Sequence, residues 1–169
     1  MTPNEPVVAR TRDEMKAARA AIEPAAGGEV AVVTSAGRVV RLGALELPTL
    51  PPSNGAPTLS GGAPLAAYVD LPGDETPLTL MSLSPDSPGL ALGTAHGIVK
   101  RVTTDYPKGH SWEAISLKEG DRVVGAVELT TGEEELVFVT SQASLLHFSA
   151  ADVRPQGRDR ADEDRQAEE

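Results

Sequence analysis

The stretch LALGTAHGIVKRV, Leu90–Val102, reads as two β-strands joined by a tight turn. Its arms, Leu90–Thr94 and Ile98–Val102, are apolar and mostly leucine or β-branched. The link Ala95-His96-Gly97 places a glycine where a hairpin turn needs positive φ. Lys100 and Arg101 ride on the second arm. The pattern recurs as VAVVTSAGRVVRL (Val30–Leu42) and LVFVTSQASLLHF (Leu136–Phe148), and in each copy a threonine, Thr34, Thr94 or Thr140, closes the first arm.

Thr34 and Thr94 stand 60 residues apart, Thr94 and Thr140 46. The excess lies in Gly43–Pro64, a stretch rich in proline and glycine that cannot donate a continuous ladder and reads as a long surface loop. A period of about 40–50 residues with some four strands is the signature of propeller blades, small sheets that bury their faces by stacking on neighbours. The expected fold is therefore all-β: about two to three blade repeats, incomplete, divided as 30–89, 90–135 and a partial 136–158. Between the hairpins, strands are expected at Leu65–Val69, Leu78–Leu83, Glu113–Leu117 and Arg122–Leu129, the last broken by Gly125, with a helical turn at Ser149–Val153. Residues 1–28 read as an extended segment, in which Val7, Val8 and Ala9 can add a strand to another element, and a short linker helix over Thr11–Ile22. Thr11 and Glu14 make its capping box. Residues 159–169 read as a disordered acidic tail.

Composition narrows the function classes. The absence of cysteine removes disulfides, thiolate metal sites and cysteine nucleophiles, and fits a reducing compartment. No run approaches the ~20 apolar residues of a membrane helix, and the N-terminus has no apolar signal region. The net charge of −10 argues against strong non-specific attraction to nucleic acid or anionic lipid. Six acids against two arginines lie in 159–169, but 28–153 is acidic too, with 15 Asp/Glu against 7 Lys/Arg. His96, His110 and His147 share no metal-ligand spacing, Glu133-Glu134-Glu135 reads as a solvated turn, Gly61-Gly62 lacks the context of a phosphate loop, and Trp112 reads as a packing anchor between blades. No nucleophile–base pairing is visible, so no catalytic residue and no metal ligand is assigned.

TSAGRVVR, GTAHGIVKR and TSQASLLHF resemble the blade repeats of the C-terminal domain of type IIA DNA topoisomerase A subunits, those of DNA gyrase and of topoisomerase IV. ISLKEGDRVVGAVEL (Ile115–Leu129) resembles the strand pair that follows in each family blade, and FSAADVRPQGR (Phe148–Arg158) the lead into the next. The resemblance covers roughly Val30–Arg158, with a proline-rich loop similar to that of actinobacterial members. It implies a β-pinwheel, of which this chain carries part, binding duplex DNA with the rest of the A subunit, together with the ATPase B subunit, in the cytoplasm at the nucleoid. ATP and Mg2+ would act through other domains, so no cofactor is expected in this chain. The glutamine- and arginine-rich box of gyrase is missing, with Lys108-Gly109 and Gly61-Gly62 at best its remnants, which favours a topoisomerase IV-like, DNA-positioning role. The candidate DNA contacts are Arg38, Arg41, Lys100, Arg101, Lys108, Arg154 and Arg158. Arg41 aligns with Arg101, while the third repeat has His147 and Phe148 in the basic slot. Cations held along a rim suffice for phosphate contacts. The competing function is a propeller-like protein-interaction scaffold without DNA binding, to which the acidic body points.

Overall fold

The computed structural model describes residues 28–49 and 62–157, and within them Thr34, Thr94 and Thr140 do the same local work. Each hydroxyl accepts the amide four residues on, from Arg38 (3.3 Å), Ile98 (3.2 Å) and Ser144 (3.1 Å). Each carbonyl accepts the amide three residues on, from Gly37, Gly97 and Ala143, all at 3.0 Å. That geometry forces the third turn residue to positive φ: +75° at Gly37, +82° at Gly97 and +59° at Ala143. Glycine adopts this without penalty, whereas the alanine of the third repeat does so under strain.

Ten strands follow in chain order: β1 (Glu29–Thr34), β2 (Arg38–Gly43), β3 (Pro77–Met81), β4 (Leu90–Thr94), β5 (Val99–Val102), β6 (Ser111–Glu113), β7 (Val123–Glu128), β8 (Glu135–Val139), β9 (Leu145–Ser149) and β10 (Pro155–Gln156). They form sheets in the orders β3-β1-β2-β6, β10-β5-β4-β7 and β8-β9. Each of the first two hairpins thus receives a strand from the repeat after it. β6, which follows the second hairpin, pairs with β2 of the first, and β10, which follows the third, pairs with β5 of the second.

Alternation along the strands sets the core. Ala31, Val33, Val39 and Met81 of the first sheet meet Leu90, Leu92, Val102 and Val123 of the second in one buried cluster. The opposite face of the first sheet, with Val30, Val32, Val40 and Leu42, is covered by the connection that carries Leu65, Tyr68 and Val69. The far face of the second sheet packs Ala91 against Leu136, beside Leu129 and Ala150. Gly93 lies against the ring of Phe138 so closely that a Cβ would overlap it.

Three sequence expectations are corrected. Leu65–Val69 is not a strand but a 3-10 turn at Leu65–Ala67 followed by the buried Val69, because the segment covers a sheet face instead of joining an edge. The strand expected at Glu113–Leu117 is β6 at Ser111–Glu113, and Ala114 and Ile115 turn into the core. β7 runs unbroken through Gly125, which pairs with Gly93, and the irregularity falls instead between Gly93 and Thr94. The helical turn expected at Ser149–Val153 is present as a 3-10 turn, Ala150–Asp152, with the Ser149 hydroxyl accepting from the Ala151 amide at 3.3 Å. The helix expected over Thr11–Ile22, the tail 159–169 and residues 50–61 of the proline-rich loop lie outside the described residues.

Ala143→Gly is expected to stabilise the protein by about 1 kcal/mol, the cost of a left-handed residue with a side chain. Gly93→Ala is expected to cost about 1–3 kcal/mol by overpacking against Phe138. Urea denaturation of each variant checks both signs.

Candidate nucleic-acid interface

The seven candidate cations divide by what their side chains already hold. Arg38, on β2, forks onto Glu75 through Nε (3.0 Å) and a terminal nitrogen (2.8 Å) and donates to the Asp70 carbonyl at 2.7 Å. Burial opposes ionisation of Glu75, but the bonds from Arg38 and Thr34 win and hold its carboxyl below the usual range. Arg41 pairs with Glu29, donates to the Pro107 carbonyl at 2.6 Å and lies 5.4 Å from the ring centroid of Trp112. Trp112 in turn packs 6.1 Å from Tyr106, so the predicted packing anchor is formed by β6 at the junction of two repeats. Arg101 is the registered equivalent of Arg41: one pairs with Ala91 as the other pairs with Ala31. Its guanidinium reaches the carbonyls of Pro88 (3.3 Å), Gly132 (3.4 Å) and Ala150 (3.4 Å), tying the second sheet to both ends of the third hairpin. Lys100 is 4% exposed and shares a sheet face with Leu92, its cross-strand partner.

Lys108 and Arg154 are exposed. Lys108 lies in the connection from β5 to β6 and Arg154 in the connection from β9 to β10, so each precedes the strand its repeat donates to the sheet before. Two successive repeats therefore present a cation at the same topological place. Lys108 also borders an open cavity of about 510 Å3 with Arg41, Tyr106 and Thr104, whose acids are Glu29 and Asp105. Burial, aided by the charge of Glu128, pushes the Tyr106 hydroxyl up to about 12, so it stays protonated. Arg158 lies outside the described residues. Lys118 and Arg122, cations the sequence reading did not nominate, are interleaved with Glu119 and Asp121.

The acids and histidines serve the turns. The Glu134 carboxylate accepts the amides of Thr130 (2.5 Å), Thr131 (2.6 Å) and Gly132 (2.9 Å). Burial opposes its ionisation, but these amides outweigh it and hold the carboxyl down at about 2. Burial likewise opposes ionisation of Asp121, and the Thr94 hydroxyl with the amides of His96 and Arg122 overcomes it and lowers its pKa. His96 sits in the second hairpin turn, 3.9 Å from Asp121, and His147 pairs with Glu135 across the third hairpin at 2.7 Å. Among the described residues no three His, Asp or Glu side chains gather as a metal site, and no helix is long and apolar enough to cross a membrane.

A family model described as the DNA gyrase C-terminal domain, a β-propeller, matches residues 28–51, 113–128 and 134–160. The chain is 35% identical over 131 residues to the DNA gyrase A subunit of Staphylococcus epidermidis, covering 74% of this chain and 14% of that one. It is 33% identical to the DNA gyrase A subunit of Staphylococcus aureus with the same coverage, so it spans about one seventh of the length of these relatives. In fold it is similar to the C-terminal domain of DNA topoisomerase IV, with a TM-score of 0.64 and 23% identity over 78% of this chain and 40% of that one. It is also similar to the DNA gyrase A C-terminal domain, with a TM-score of 0.53 and 21% identity over 78% of this chain and 41% of that one.

Arg101→Ala is expected to cost about 1–3 kcal/mol, since it strands three carbonyls between sheets, whereas Lys108→Ala and Arg154→Ala stay within about 0.5 kcal/mol. Glu134 supplies a second check. Its folded carboxyl titrates near 2 against an ordinary 4.5, so its stabilisation is complete above about pH 4.5 and drains as pH falls towards 2. In Glu134→Gln that part of the acid dependence disappears from the unfolding free energy measured between those limits.

Proposed function

Because this chain belongs to the DNA gyrase A C-terminal β-propeller family, we propose that it serves as the DNA-contacting module of a type IIA topoisomerase A subunit. It binds and positions duplex DNA, while cleavage, ATP hydrolysis and strand passage belong to other parts of the enzyme, including the ATPase B subunit. Its place of work is then the cytoplasm, at the nucleoid.

The observation that carries this reading is the repeat-equivalent placement of Lys108 and Arg154, exposed on connections that step from one blade to the next. A duplex laid along successive blades meets a cation at each step. Each ammonium or guanidinium neutralises one phosphate and releases its counterion. The acidic balance of the whole chain does not forbid this, because potentials are local within a Debye length of about 8 Å. Arg38, Arg41 and Arg101 support the reading indirectly: by bonding carboxylates and carbonyls of the protein they hold the blades that display the exposed pair. A second reading, a protein-interaction scaffold, draws on the exposed apolar Val127, Val137, Val139 and Leu145.

Duplex DNA binding by the chain is expected to weaken steeply with salt. Lys108→Ala and Arg154→Ala should each lower the slope of log affinity against log salt by about one, uniformly across sequences. Fluorescence anisotropy with two unrelated duplexes at several salt concentrations measures this. Affinity unchanged in both variants, or no binding at low salt, removes the DNA reading and leaves the scaffold.

A further inference from the structure

The short loop that displays Lys108 is held at both ends by one residue of the preceding repeat. The ladder between β2 and β6 runs as far as Val40 opposite Ser111. One residue on, the Arg41 amide donates to the His110 carbonyl at 2.8 Å. The Arg41 side chain then reaches over the loop, and one terminal nitrogen of its guanidinium donates to the Pro107 carbonyl at 2.6 Å. Lys108, Gly109 and His110 stand exposed between these two bonds. The other terminal nitrogen of Arg41 is taken by Glu29, and the guanidinium lies 5.4 Å from the ring centroid of Trp112, two residues beyond the loop. Tyr106, one residue before the loop, packs on the same indole.

We propose that Arg41 is a positioning residue for the contact of Lys108 with a DNA phosphate, an inference that rests on the DNA reading of the exposed cations. Two effects combine. A loop with a glycine at its tip, tied at one end only, samples many conformations, and ordering it on DNA subtracts from affinity; tied at both ends it meets the phosphate already ordered. Glu29 also borders the same open cavity as Lys108, about 510 Å3 in volume. By taking the Glu29 carboxylate, Arg41 leaves the ammonium to a phosphate. Arginine suits both tasks, because its planar fork serves a carboxylate and a carbonyl together while its face lies on an aromatic ring. Lysine, a single point charge, does not.

The next repeat repeats the device. Arg101, the registered equivalent of Arg41, donates to the Ala150 carbonyl at 3.4 Å, at the start of the connection that carries Arg154. The Thr103 amide donates to the Gln156 carbonyl at 3.1 Å, beyond Arg154. An arginine of one repeat thus steadies the connection on which the following repeat displays its cation.

Fluorescence anisotropy on the full chain with one duplex, at several salt concentrations, tests the coupling through two mutant cycles. Loss of one phosphate contact lowers the salt slope by about 0.9, which at 0.1 M salt is about eightfold in affinity, the loss expected of Lys108→Ala. Arg41→Lys keeps the charge, and it is expected to weaken binding at least threefold, to lower the salt slope, and to have no further effect in Lys108→Ala. In Arg154→Ala it keeps its full effect. Binding by Arg41→Lys equal to the parent, or a loss that adds in full to that of Lys108→Ala, overturns the proposal, the second by giving Arg41 a contact of its own. Should Lys108→Ala bind as the parent does, the DNA reading of Lys108 falls first and this role with it. A readout without DNA is the backbone order parameter of Gly109 by NMR. It is expected near about 0.85 in the parent and below about 0.6 in Arg41→Lys. A Gly109 equally mobile in both overturns the positioning whether or not DNA binds.

Discussion

The first two blades each depend on a strand they do not own. β2 is edged by β6 and β5 by β10, so neither four-stranded sheet is complete until the next repeat has formed its hairpin and sent a strand back. The pairing satisfies backbone groups that an isolated hairpin would leave to water, and the hairpin alone is marginal. It also fixes where the donated segment goes next. Once Ser111–Glu113 lies on β2, Ala114 and Ile115 enter the interface between the first two sheets, and the Ala114 amide donates to the Gly37 carbonyl at 2.8 Å, locking the turn of the first hairpin. Stacking of faces and exchange of edges are thus one constraint, and neighbouring repeats stabilise each other as in other arrays whose units contact only their neighbours.

The cations follow from the same constraint. A β-strand alternates its side chains, so a basic residue at the end of an arm faces either a neighbouring repeat or the rim. Arg41 and Arg101 stand at one register position, and both are drawn to the protein's own acceptors: Glu29 and the Pro107 carbonyl for one, three loop carbonyls for the other. His147, at that position in the third repeat, finds Glu135. In the first two repeats the position is a clamp to the repeat that follows, and in the third it closes on its own hairpin. The cations on the connections, Lys108 and Arg154, are committed by no strand register.

The hairpins were legible because their signals are local: an alternating apolar arm, a threonine to close it, a residue at positive φ. These survive even where the glycine is replaced, as at Ala143. The exchange was not legible. Ser111-Trp112-Glu113 has nothing in its own residues to say that its partner lies 70-odd positions upstream at Arg38–Val40, and periodicity cannot tell an edge of one sheet from an edge of the next. The same blindness put Lys100 among surface cations, since only the presence of a neighbouring sheet makes its face of β5 an interior one. Leu65–Val69 has the composition of a strand, yet it covers the outer face of the first sheet, a role set by what lies beside that face and not by its own sequence.

The three sheets also differ in the side chains they turn to the following repeat, and the second carries the smallest. In the first sheet that face is Ala31, Val33 and Met81, closed by the second sheet; in the second it is Ala91, Gly93 and Val127, of which Ala91 and Gly93 meet Leu136 and Phe138. Small residues there let the bulky Phe138, stacked 5.7 Å from Phe148, approach the sheet closely. The third sheet presents Val137, Val139 and Leu145 instead, larger and exposed. Exposing three apolar side chains on a two-stranded ribbon wastes the burial that the first two sheets exploit.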